Sequence, residues 1–175
     1  MASSKDILLR LAGGDRRSIG QSNQITTLVL KRSALFGELI RGLRAPDPGV
    51  RMRAADAAEK VSLERPDLLV PFKTELLHLL ETATEQELRW HLAQMVPRLP
   101  LSRRDRLRAL LAFQGYLQDR SSIVRTCAMQ ALADLASTDA GLLHQVLELL
   151  RKHTQNGTAA MKARGRKLLQ QLQDS

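Results

Sequence analysis

The sequence predicts an all-α protein, a right-handed α-α superhelix of about four stacked helix pairs behind an N-terminal helical cap, and three observations predict it. An apolar–basic dipeptide recurs as Val50-Arg51, Leu88-Arg89, Val124-Arg125 and Met161-Lys162, at spacings of 38, 36 and 37 residues. A period of that size filled with helical pattern marks stacked helix pairs, each too small to bury its own apolar stripe. The columns after the dipeptide keep the register: Ala54, Leu92, Ala128 and Gly165, then Ala58, Val96, Leu132 and Leu169, then Val61, Leu99, Leu135 and Leu172. No segment alternates with period two, so no sheet is expected.

The elements follow in order. Residues 1–32 are expected to form the cap, with a short helix before Gly13 and another over Ser22 to Lys31. Between them Gly13-Gly14-Asp15-Arg16-Arg17-Ser18-Ile19-Gly20 permits left-handed backbone, and Arg16 and Arg17 form a candidate anion site. A cap over the open end of the first repeat is the plainer reading of the same segment. It is not a nucleotide-type phosphate loop, because the Gly-Lys-Ser/Thr ending and the preceding strand are missing.

Four repeats are expected at 33–62, 66–99, 102–137 and 139–173, all within one structural domain. The first helix of each pair carries Leu35, Phe36, Leu39, Ile40 and Leu43; then Leu68, Leu69, Phe72, Leu76, Leu77 and Leu80 behind Pro66; then Leu107, Leu110, Leu111, Phe113 and Leu117 behind Ser102; then Leu142, Leu143, Val146, Leu149 and Leu150 behind Asp139. Turns fall at Pro46-Asp47-Pro48-Gly49, at Pro97 to Pro100 and at Asn156-Gly157. The small residues of the first column are expected to let helices approach closely.

Residues 43–55, Leu-Arg-Ala-Pro-Asp-Pro-Gly-Val-Arg-Met-Arg-Ala-Ala, and residues 119–125, Asp-Arg-Ser-Ser-Ile-Val-Arg, resemble the HEAT-repeat (armadillo-type) family. The likeness covers roughly residues 33 to 173 and extends to small bacterial HEAT-repeat proteins. It implies an arginine ladder between neighbouring repeats, with an acid six residues before the arginine. Asp119 and Arg125 match that spacing, whereas Ala45 stands in the first repeat and Glu85 or Glu87 in the second, so the ladder of Arg51, Arg89, Asp119 and Arg125 is expected to be incomplete. Those arginines read as structural before functional.

The resemblance also implies that the second helices form the concave face. Their face opposite the core then holds three columns: Met52, Trp90, Thr126, Ala163; Asp56, Gln94, Gln130, Lys167; and Glu59, Pro97, Ala133, Gln170. Arg53, His91, Cys127 and Arg164 flank them. The predicted partner-binding residues are therefore Met52, Arg53, Asp56, Trp90, His91, Gln94, Gln130, Arg164 and Lys167. Trp90 is the sharpest of these, an interface anchor if exposed and a packed ring over neighbouring helices if not.

Composition narrows the function classes. The one cysteine, Cys127, precludes an intramolecular disulfide and a cysteine metal site. His78, His91, His144 and His153 have no mutual ligand spacing, so neither a metal nor a catalytic role is assigned, and no cofactor is expected. The run Ile7 to Leu11 is too short and interrupted for a membrane span or signal peptide, and a soluble cytoplasmic protein is expected. Charge is uneven within the net +9: residues 1–44 carry 8 basic and 3 acidic side chains, 45–88 carry 5 and 9, and 89–175 carry 14 and 6. Arg103, Arg104, Arg106 and Arg108, and Lys162, Arg164, Arg166 and Lys167, are the basic concentrations.

A non-catalytic scaffold that binds a protein of acidic or mixed surface is the resulting expectation, with nucleic-acid binding as the alternative. HEAT-like DNA glycosylases are a remote third reading. The single Trp and Tyr, with Asp56 and Glu59 the acids of the concave columns, match that activity poorly. HEAT-like phycobilin lyases share the fold level only.

Overall fold

The computed structural model describes residues 4–13, 15 and 18–174. Helix accounts for 82% of the described residues, which contain no strand. The chain divides into two compact units, Met1–Thr74 and Glu75–Ser175. The candidate anion site of Arg16 and Arg17 lies outside the described residues.

The first unit contains α1 (Ser4–Leu11), α2 (Ser22–Lys31), α3 (Phe36–Gly42) and α4 (Pro48–Glu64), followed by a 3-10 turn over Pro66–Phe72. Helix α4 packs against α1, α2 and α3. It starts where Pro48 pre-sets the first helical turn and the Asp47 carboxylate accepts from the backbone N–H groups of Gly49 and Val50 at 2.7 and 3.2 Å. Ile7, Leu11, Ile25, Val29, Phe36, Leu39 and Val61 are buried around Ala54, Ala57 and Ala58. A Cβ at Gly42 would lie 2.6 Å from that of Ala54, so α3 crosses α4 at a distance only glycine permits.

Helix α5 (Lys73–Thr82) crosses the unit boundary. The second unit continues with α6 (Gln86–Met95) and a 3-10 turn (Val96–Arg98). Helices α7 (Arg103–Tyr116), α8 (Ser122–Thr138), α9 (Ala140–Asn156) and α10 (Ala159–Gln173) follow. Helix α8 touches α6, α7, α9 and α10, and α9 packs on α10. Its buried Val124, Ala128, Leu132 and Leu135 stand in the repeat columns. So do buried Leu88, Leu92, Val96 and Leu99 before it, and buried Met161, Gly165 and Leu172 after it, whereas Leu169 of the same columns is half-buried and its neighbour Leu168 is buried instead.

A further column sits three residues before each dipeptide. Asp47, Ser121 and Thr158 occupy it, and each caps its helix by accepting from the N–H of Val50, Val124 or Met161 at 3.2, 3.5 and 3.4 Å. Glu85 holds that position before α6 and makes no side-chain cap bond. Helix α7 is capped differently, by Ser102 and Asp105 in a reciprocal box. Asp139 caps α9 through Gly141 and also pairs with Arg106 of α7 at 2.9 Å.

Candidate functional site: a polar groove in the second unit

The repeat places equivalent positions of α6 and α8 side by side. Gln94 and Gln130 are 36 residues apart, as are Arg98 and Asp134. With Thr126 of α8 and Arg164 of α10 they line a groove of about 520 Å³. Cys127, half-buried and in no disulfide, lines it as well.

One hydrogen-bonded chain crosses the groove. Arg164 donates through Nη1 to Gln130 Oε1 at 2.9 Å, and Gln130 donates through Nε2 to Asp134 Oδ1 at 2.8 Å. The reach of Arg164 depends on its neighbour. A Cβ at Gly165 would collide with the Thr154 hydroxyl and come within 2.8 Å of Met129 Cε, so glycine lets α10 settle onto α8 and α9. Burial pushes the Asp134 carboxyl above its ordinary value, against the opposing Gln130 hydrogen bond and the charges of Arg98 and Arg164.

Several predicted binding residues fall together here, and others do not. Gln94, Gln130 and Arg164 line the groove. Trp90 is half-buried one helical turn before Gln94, whose Nε2 donates to the Trp90 carbonyl at 3.4 Å, and its ring meets that of His91 at 5.5 Å. Lys167 is exposed on α10. His91 is only 6% exposed, which corrects its placement on a binding face. In the third predicted column Ala133 is likewise buried, Pro97 is half-buried and Gln170 is exposed.

In the first unit Arg53 is the clearest correction. It is 2% exposed, and its guanidinium donates to the carbonyls of Leu11, Gly13, Asp15 and Ser18 at 2.7, 2.5, 2.7 and 3.0 Å. The cap segment, turning through Gly13 and Gly20 at positive φ, covers the face on which Arg53 was expected to meet a partner. Asp56 accepts from the Ser22 hydroxyl and from Lys60 Nζ, the latter at 2.6 Å, and so ties α2 to α4. Met52 is half-buried and Glu59 is buried. An apolar hollow of about 540 Å³ lies between Leu8, Leu9, Pro46 and Val50.

Two arginines expected in the ladder, Arg51 and Arg89, act on backbone and on one carboxylate. Arg51 Nη1 donates to the Ala45 and Pro46 carbonyls at 2.6 and 2.9 Å. Arg89 donates to the Ala83 carbonyl at 2.8 Å, pairs with Asp119 at 2.5 Å and lies 5.1 Å above the Tyr116 ring. Burial alone raises the Asp119 carboxyl. The Ser121 N–H, the Arg89 hydrogen bond and the charges of Arg89 and Arg125 outweigh it and hold the group below its ordinary value.

Sequence reasoning missed Asp134 and Arg98. One more helical turn along the column of Gln94 and Gln130 reaches both, so the signal was present in the periodicity. Among the described residues no group of three His, Cys, Asp or Glu side chains is placed to hold a metal ion, and no helix is long and apolar enough to cross a membrane.

No family model matches the chain, and no curated protein does. Among solved structures, the crystal structure of an engineered protein from a structural-genomics programme matches with a TM-score of 0.70 at 17% identity, covering 98% of this chain and 79% of that one. The likeness is one of fold alone.

Proposed function

We propose that the chain is a HEAT-like right-handed superhelix acting as a non-catalytic scaffold that holds a partner protein along the groove of α6, α8 and α10. One observation carries this reading: the groove is lined by the same columns of successive repeats, Gln94 with Gln130 and Arg98 with Asp134. A surface assembled from repeat-equivalent positions suits an elongated partner contacting several repeats at once. The lining is mixed and polar, like the rim of a reversible interface, and half-buried Trp90 beside it has the character of an anchor.

The test is selection of peptides from a displayed random library on the purified protein, followed by affinity measurement on variants. Trp90→Ala should weaken the selected peptides by about 2 kcal/mol, and Thr126→Arg, which fills the groove, should abolish binding, with the melting curve of each variant close to the parent. Peptides that bind both variants as well as the parent would exclude the groove as the docking site.

Nucleic-acid binding is the second reading, favoured by the exposure of Lys162, Arg164, Arg166 and Lys167 along α10.

A further inference from the structure

The groove contains two guanidinium groups and a single carboxylate, since Arg98, Arg164 and Asp134 are the charged residues of its lining. Its local charge is therefore positive while Asp134 is ionised, and exposed Lys162, Arg166 and Lys167 of α10 extend the same sign. Arg164 is pre-positioned: Gln130 fixes one of its nitrogens, and the close seat of Gly165 fixes its backbone. Asp134, linked through the same Gln130, is the internal anion of the cluster.

We propose that this groove is a carboxylate-binding subsite for an acidic side chain of a partner protein, with Asp134 as the internal competitor of the incoming carboxylate. The inference rests on the groove being the docking surface, and it goes further by assigning the chemistry of what enters. A carboxylate beside Arg164 and Arg98 enters a lining whose charge is net positive, in a fork geometry that guanidinium groups favour. The repulsion from Asp134 sets a limit on affinity that the protein itself imposes.

That competition has a distinctive signature. Titrations of the full chain at low salt would use an oligoglutamate peptide, glutarate as a free dicarboxylate, and an oligolysine peptide. Oligoglutamate should bind. Arg164→Gln should weaken it by about five-fold, and Asp134→Asn should tighten it by about three-fold or more. Glu148→Gln, which makes the same change in net charge at an exposed site of α9, should leave the affinity within about 1.5-fold of the parent. Glutarate binding with the same variant pattern would support carboxylate recognition and extend it to free acids.

Preferential binding of oligolysine, or equal effects of Asp134→Asn and Glu148→Gln, would overturn the subsite. If library peptides still lose affinity on Thr126→Arg while oligoglutamate fails to bind, the scaffold reading stands and the carboxylate assignment falls. If Thr126→Arg changes nothing, both fall.

Discussion

At the scale of single residues, two charged groups, half-buried Asp134 and buried Arg53, do opposite things to stability. Asp134 has its pKa raised by burial, so its neutral form is favoured in the folded state. Its contribution is fully present below the unfolded-state value, near 3.8, and is lost as pH rises through the folded value. Asp134→Asn should therefore raise the melting temperature near neutral pH and lose that advantage in acid, as a pH series of thermal melts would show. Arg53 is the reverse case, because its charge is met by four carbonyls among the described residues. Arg53→Met should lower the unfolding free energy by about 2–4 kcal/mol in a denaturant titration, and Arg53→Lys should recover only part of it, since one ammonium cannot address carbonyls in several directions. Helical geometry places Arg53 beside the predicted binding columns when α4 is taken alone. That geometry carries no sign of the segment, some 40 residues earlier, that folds over that face.

At the scale of elements, the repeat was legible because each column has one physical cause. Ala54, Leu92, Ala128 and Gly165 are buried, as helices packed at short range require. The capping column of Asp47, Ser121 and Thr158 was equally present in the sequence, but Glu85 interrupts it and hides the pattern. Gly165 gives the sharpest test. Alanine there would gain about 1 kcal/mol of helix propensity and mask part of the steric cost, so Gly165→Val is the better probe. Its side chain must displace Thr154 and Met129, and a loss of about 1–3 kcal/mol is expected by denaturation. The groove itself was only half legible. Gln94, Gln130 and Arg164 follow from helical geometry, whereas the raised pKa of Asp134 depends on how deeply neighbouring helices bury it.

At the scale of the whole molecule, the positive charge is carried by the two ends of the chain and interrupted by an acidic middle. Should the exposed cations of α10 bind nucleic acid, affinity for single-stranded and duplex DNA and RNA should fall steeply with added salt, and Lys162→Glu with Lys167→Glu should flatten that dependence. Binding indifferent to salt would exclude the reading. The seat of Arg53 also has a mechanical consequence. Because one guanidinium of α4 meets the carbonyls of Leu11, Gly13, Asp15 and Ser18, that segment is clasped by a single side chain instead of a row of independent bonds. Losing that one side chain frees all four carbonyls at once, so the segment should come away from α4 as a unit and not bond by bond.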